Sequence, residues 1–231
     1  MHPPPVTIRP RLSVIVSAGS SDWVPAGLLA QLCSLPLDVE IVLAHARKRA
    51  LQTPPGWPPE RSLRQCAAEP ELASQMNAGA RIAGGEWLWF LPADTRLTAS
   101  AVAAAYRLIG RRELVLGWFD LQYIGSHSPM LPLLASAANL WARLTRRPPL
   151  PQGYCLPAAQ FEALGAFPGQ PFTALHKSFI RAARATGLAV RRTGGVLQTS
   201  AVPLRPWLGA KTRLTAPVRS AARRSDDPPL Q

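Results

Sequence analysis

Between Glu71 and Leu97 the chain reads ELASQMNAGARIAGGEWLWFLPADTRL, and this stretch restricts the fold more than any other. Trp87 to Leu91 is a five-residue apolar run without polar alternation. A strand written this way needs cover on both faces, as in a parallel sheet with helices on either side. Upstream, Ala73, Met76, Ala80 and Ala83 recur at i, i+3, i+7 and i+10, a narrow stripe of small side chains suited to packing a helix closely on a sheet. Gly84-Gly85 is expected to stop that helix in a left-handed cap. Pro92 has no N–H to donate and closes the strand. Ala93-Asp94-Thr95 therefore falls just beyond the strand's carboxyl end, where open α/β sheets bind their ligands.

The remaining elements follow from the same patterns. Arg11 to Ser17 is a β-branched first strand, and Ser20, Ser21 or Asp22 is placed to cap a helix with Pro25 in its first turn. Leu28, Leu29 and Leu32 give that helix an apolar face, and Val39 to Leu43 forms a second strand. Strand, helix, strand at this spacing is a βαβ unit, hence a parallel pair with a right-handed crossover. Thr53 to Pro59 (TPPGWPP) is a surface loop. Thr98 or Ser100 caps a helix over Ala101 to Ile109, and Leu114 to Tyr123 is a strand. A helix over Met130 to Leu144 precedes a loop at Arg147 to Pro151. Phe161 to Leu164 makes a short helix ended by Gly165, and Phe172 to Thr186 a longer one. Leu188 to Arg191 and Gly195 to Thr199 read as two late strand pieces. The expectation is one α/β domain over 11–207, with an open, mostly parallel, Rossmann-like sheet flanked by helices. A flexible segment (1–10) precedes it and a weakly ordered basic tail (208–231) follows.

Composition narrows the function classes. With 231 residues and 47% apolar content the chain is long enough for a real core. No apolar run reaches the roughly 18 residues that span a bilayer, and Met1 to Pro10 lacks the pattern of a signal peptide. A cytoplasmic protein is expected. Cys33, Cys66 and Cys155 are odd in number and widely spaced, the pattern of reduced thiols. The net charge of +13 comes mostly from Arg scattered along the chain, without a basic run interleaved with aromatics. Specific nucleic-acid binding is not expected from it. The tail carries Arg205, Lys211, Arg213, Arg219, Arg223 and Arg224, which suits peripheral contact with an anionic membrane.

The segment QMNAGARIAGGEWLWFLPADTRL resembles the central part of family 2 glycosyltransferases of the GT-A fold. It is most similar to a bacterial subgroup carrying QMN-x-GA, a strand, and then L-HADT-x-L. The resemblance extends through GWFD, FEALGAFP and VLQTSA, roughly from Arg11 to Trp207. It implies a GT-A-like sheet and sugar transfer from a nucleotide-sugar donor to an acceptor. It also implies that Asp94 holds Mg²⁺ or Mn²⁺ and the donor diphosphate, with Gln75, Asn77, Asp120 and Gln152 around the donor.

The chain departs from that pattern where the chemistry lies. After the first strand the family's Pro-x-x-Asn-Glu-like turn is replaced by Ser17 to Ser21. The acidic turn after the second strand is replaced by Ala44-His45-Ala46-Arg47-Lys48-Arg49. Pro92 stands where the subgroup has His, and Leu150-Pro151-Gln152 where it has Gly-Asp-Gln. The Glu-Asp pair that supplies the family's base aligns with Ala174-Leu175. Between Leu121 and Ser225 the only carboxylate is Glu162. Asp22, Asp94, Asp120 and Glu86 are the acids left for a site. His176, one residue past the lost pair, is the candidate replacement base. His45 with Arg47, Lys48 and Arg49 is either a diphosphate-binding group or a solvated basic turn. Asp120 either faces the pocket or pairs with an Arg. Three readings stand at this level: a transferase with unconventional ligands, a degenerate transferase acting as a binding or regulatory partner, and a basic protein resting on anionic surfaces.

Overall fold

Trp87 to Leu91 does lie in the middle of a sheet, and the reason is the cover it receives. The computed structural model describes residues 10–19, 24–46, 53, 56–111, 113–125, 128–169 and 172–200. The elements, in order, are β1 (Leu12–Ser17), α1 (Ala26–Cys33), β2 (Val39–His45), β3 (Leu63–Ala67), α2 (Leu72–Ile82), β4 (Trp87–Pro92), β5 (Thr95–Leu97) and α3 (Ala99–Gly110). They continue with β6 (Val115–Ile124), α4 (Met130–Thr145), a 3₁₀ turn (Leu150–Gln152), β7 (Tyr154–Pro157), α5 (Ala158–Ala163), α6 (Phe172–Ala185) and β8 (Ala189–Ser200). They build one eight-stranded sheet in the order β3-β2-β1-β4-β7-β6-β8-β5. Strands β3, β2, β1 and β4 run parallel. β7 lies antiparallel between β4 and β6, β6 pairs with β8 in parallel, and β5 closes the edge antiparallel to β8.

Side chains alternate between two cores. Val14, Val16, Trp87, Trp89 and Leu91 pack with Leu28 and Leu32 of α1 and with Ala101, Ala104 and Leu108 of α3. On the other face Ile15, Val42, Leu88 and Phe90 meet Ala73 and Met76 of α2, Phe161 of α5, and Leu175, Phe179 and Ile180 of α6. Both faces of β4 are thus desolvated, which accounts for a strand without polar alternation. Of the α2 stripe, Ala73 and Met76 are buried and Ala80 and Ala83 half-buried against this core, while the closest approach is made by Gly79, outside the stripe, where a Cβ would sit 2.5 Å from Ile15 Cγ2.

The sheet has to curl. Two residues, Ala93 and Asp94, join β4 to β5, and three Cα–Cα steps span at most about 11 Å. In a flat sheet β5 would lie four strand spacings from β4, about 19 Å away. Curling brings the β8–β5 edge back over the carboxyl end of β4, and Asp94 sits at the crossing.

Several expectations change in detail. Gly84 and Gly85 are not a left-handed cap; the helix ends because Ala83 turns extended (φ −65, ψ 136). Gly84 N–H then donates to Glu40 Oε2 at 2.8 Å and Gly85 N–H to Ser13 Oγ at 2.9 Å. Gly85 is required for proximity, since a Cβ there would lie 2.6 Å from the Ser13 backbone nitrogen. Pro25 itself is the N-cap of α1, with no side-chain cap bond; Ser20, Ser21 and Asp22 lie outside the described residues. Thr98 does cap α3, accepting from Ala101 N–H at 3.1 Å. The two late strand pieces are one strand, β8, with a register shift against β6 opposite Trp118 and Asp120. β3, β5 and β7 carry no expectation from the sequence. All three cysteines are free thiols, Cys155 buried and Cys33 and Cys66 half-buried. No helix among the described residues is long and apolar enough to cross a membrane. The basic tail lies outside the described residues.

Candidate functional site

Strand β7 begins at Tyr154, opposite both Phe90 of β4 and Trp118 of β6. Beyond that point no strand pairs with both β4 and β6 among the described residues, and the ladder is notched toward their carboxyl ends, where the buried Leu150 and Gln152 of the 3₁₀ turn lie. Two side-chain amides line it. Asn139 of α4 accepts from Leu121 N–H at 2.8 Å and donates to Leu121 C=O at 2.9 Å, as a neighbouring strand would. Gln152 Nε2 donates to Asn139 Oδ1 at 2.8 Å, and its own Oε1 is buried without a partner. Gly153 turns there in the left-handed region (φ +63), where a Cβ would fall 2.7 Å from Leu197 Cδ1 and 3.2 Å from Trp89 Nε1.

Asp94 is the carboxylate at the crossing of β4 and β5. It is half-buried, and Thr199 of β8 donates its hydroxyl to Asp94 Oδ2 at 3.0 Å. Burial raises its pKa, against the opposing pull of the Thr199 hydrogen bond. Tyr123, beside Thr199 in the β6–β8 register, is likewise raised, by burial and then by the Asp94 charge. Thr199 and Tyr123 carried no role in the sequence reading. The available signal was alternation: Leu197 and Thr199 share the inward face of β8, and a polar residue there needs a partner.

The other sequence candidates fall into different roles. Gln75 is fully buried, accepts from Ser17 Oγ and Gly19 N–H at 2.7 Å each, and donates to Gly19 C=O at 2.9 Å. Asn77 donates to Phe167 C=O at 2.8 Å and accepts from Phe167 N–H at 3.0 Å. Both amides of the QMN triplet are therefore engaged with the backbone. Asp120 pairs with Arg: Arg143 Nη2 lies 2.9 Å from Oδ2, while Arg192 Nε contacts both oxygens and its Nη2 reaches Oδ2. Burial pushes Asp120 upward, but hydrogen bonds from Arg192 and Arg143 outweigh it and hold the carboxyl below its usual range. His45 is the last residue of β2 and buried, with Nδ1 unpartnered, so it is not part of a solvated turn; Arg47, Lys48 and Arg49 lie outside the described residues. His176 is half-buried in the second turn of α6. That helix feeds the start of β8, beside Val115 at the amino end of β6, so its first turns lie toward the carboxyl end of the sheet. Glu86 is exposed at the opposite end, where its C=O accepts from Ala158 N–H. Asp22 is outside the described residues.

No family model matches the sequence, and no curated protein matches it. Solved structures do match. TarS 1–349 of S. aureus in complex with UDP superposes with a TM-score of 0.54 at 14% identity, over 82% of this chain and 60% of that one. The same protein in complex with UDP-GlcNAc gives 0.55 at 16% identity, over 82% and 58%. The mannosyltransferase PcManGT of Pyrobaculum calidifontis, in complex with GDP-Man and Mn²⁺, gives 0.54 at 18% identity, over 83% and 57%. The fold is that of the GT-A glycosyltransferases. The chain spans about 60% of the length of these neighbours. Identities this low establish the fold alone.

A neighbour with Mn²⁺ prompts the question whether such an ion fits here. Among the described residues no group of three or more His, Cys, Asp or Glu could hold a metal. Asp94 is alone, and one of its oxygens already accepts from Thr199. Hard divalent cations need several oxygen ligands at short range. The described residues do not form a resident metal site.

Proposed function

We propose that the chain binds a nucleotide sugar, or its nucleotide, in the notch at Asp94, and works as a binding or regulatory relative of the glycosyltransferases rather than as a conventional metal-dependent transferase. The observation that carries this reading is a set of buried polar atoms without partners in residues near the carboxyl ends of the strands, the end at which Asp94 lies. Among the described residues six buried side-chain atoms lack hydrogen-bond partners: His45 Nδ1, Thr95 Oγ1 and Gln152 Oε1 lie toward that end, Trp89 Nε1 lies near Gly153, and Arg61 Nε and Trp118 Nε1 lie elsewhere. Buried polar groups are normally satisfied, so an accumulation at the ligand end of the sheet supports occupation by a polar ligand. The GT-A neighbours bound to UDP, UDP-GlcNAc and GDP-Man make a nucleotide sugar the favoured class. Against conventional transfer stand the lone Asp94, the neutralisation of Asp120 by two arginines, and the missing Glu-Asp pair at Ala174-Leu175. A carboxylate general base contributes roughly a hundred- to ten-thousand-fold to such a reaction. His176, near the carboxyl end on α6, is the one candidate on that element to take an acceptor proton.

The experiment is titration calorimetry of UDP, GDP and dTDP sugars with and without Mn²⁺, paired with a turnover assay on the same panel. Binding that depends on Asp94 and Gln152, changes little with Mn²⁺ and yields no transfer is expected. Robust Mn²⁺-dependent turnover abolished by Asp94→Ala or His176→Ala would refute the reading and restore that of a working transferase.

A further inference from the structure

Helix α4 is apolar on two sides. Leu131, Ala135 and Ala142 face the protein, while Met130, Leu133, Leu140, Trp141 and Leu144 are exposed by 49%, 66%, 55%, 63% and 75%. The exposed five, together with Ala137, fall within an arc of roughly 100° at 100° per residue, so they form one stripe rather than scattered contacts. One stripe of large exposed apolar side chains on a single helix is a candidate interaction surface, and its chemistry has to say for what.

The charge around the stripe indicates what covers it. From Gln122 to Phe161 the chain contains no acidic residue. At the helix C-terminus Arg146 and Arg147 are exposed. The exposed Arg184 reaches over from α6 to donate to the carbonyls of Thr145 and Arg146 at 2.8 and 2.7 Å. An apolar stripe holding Leu and Trp beside an acid-free arginine rim is the composition of a helix lying in the headgroup region of a bilayer. Trp suits that depth because one end of its ring system is apolar and the other donates a hydrogen bond.

Two other occupants fit less well. A 16-residue helix is about 24 Å long and offers an apolar face about 10 Å wide. That is roughly 240 Å², against about 800 Å² per partner in a stable protein interface. The chain's own segment 201–231 carries six cations before its only acids, Asp226 and Asp227, and would bring like charge to the arginine rim. We propose that the exposed face of α4 docks on an anionic lipid surface, with Leu133, Leu140, Trp141 and Leu144 entering the acyl boundary and Arg146 and Arg147 meeting the headgroups. This contact is separate from the one expected of the basic tail, and it does not depend on the proposed nucleotide-sugar binding.

The test is flotation of the full chain with vesicles of phosphatidylcholine alone and of phosphatidylcholine mixed with phosphatidylglycerol, at low and high salt. The full chain is expected to float with the anionic vesicles and to be weakened by salt. Leu140→Gln with Trp141→Gln is expected to lower the bound fraction about tenfold through lost apolar insertion. Arg146→Gln with Arg147→Gln should remove most of the preference for anionic lipid. Circular dichroism checks that each variant is folded; Leu133→Gln with Leu144→Gln reads the same stripe should the first pair unfold. Failure of the full chain to float with anionic vesicles overturns the proposal. So does binding that survives every α4 variant and disappears only when Arg205, Lys211, Arg213, Arg219, Arg223 and Arg224 are neutralised. So does a dimer in sedimentation velocity that Leu140→Gln with Trp141→Gln converts to monomer, since the face would then belong to a second copy.

Discussion

Asn139→Ala should be the most informative single substitution in the notch. Its side chain holds three hydrogen bonds: two with Leu121, at 2.8 and 2.9 Å, and one from Gln152 at 2.8 Å. Truncation leaves a backbone N–H, a backbone C=O and an amide donor without partners, and Gln152 Oε1 already lacks one. Each orphaned group costs about 1–3 kcal/mol when fully buried. Asn139 is only half-buried, so water recovers part of this and a total of about 2–4 kcal/mol is expected. For a domain of this size that corresponds to roughly 4–16 °C in Tm. Differential scanning calorimetry measures it, and the double variant with Gln152→Ala completes a cycle. The two losses should be subadditive, because each single change already breaks the shared bond. A Tm change under about 1 °C, or strict additivity, would mean that Asn139 does not stand in for a strand beside β6.

Two carboxylates should give pH profiles of opposite sign. Burial raises the Asp94 pKa in the folded protein, so its ionised form opposes folding once pH rises above the ordinary Asp range. Asp94→Asn, which still accepts from Thr199, should melt higher than the wild type at neutral pH, with the gap closing in acid; a lower melting temperature at neutral pH refutes this. Asp120 is held below the usual range by Arg192 and Arg143, so its stabilisation is present at neutral pH and is lost as pH falls through the depressed pKa. Asp120→Asn should cost about 1–2 kcal/mol at neutral pH, modest because the exposed guanidiniums rehydrate. The same variant should match the wild type in strong acid, and a deficit that persists there would point to packing instead of charge.

The sequence carried the fold well wherever burial was two-sided. WLWFL, the first βαβ unit and the small-residue stripe of α2 all reflect packing that leaves a strong periodic pattern. β3 escaped because its residues, half-buried at Leu63, Gln65 and Cys66 and exposed at Arg64 and Ala67, show no clean alternation. β5 escaped because three residues, buried-exposed-buried, are too short to separate from a turn. The site was less legible for a different reason. Gln75 and Asn77 stand in a motif that resemblance associates with the donor, yet their amides hold Gly19 and Phe167, 56 and 90 residues away. Asp120 meets Arg143 and Arg192 at separations of 23 and 72 residues. Only the curled sheet brings these groups together, and no local pattern encodes it. Thr199 is a like case, 105 residues from Asp94.

The two-point amide grips on Gly19, Phe167 and Leu121 have a fourth counterpart in Gln31, which donates to Leu97 C=O and accepts from Leu97 N–H at 2.8 and 2.9 Å. All four are neutral, so neither protons nor salt at ordinary concentrations loosen them. The outline of the notch should therefore stay constant across conditions that switch its charges on and off. A titration of ligand affinity against pH then reports on Asp94, whose pKa burial raises, within a fixed frame. The proposed site would then be an insulated socket whose contacts change potential while its shape does not.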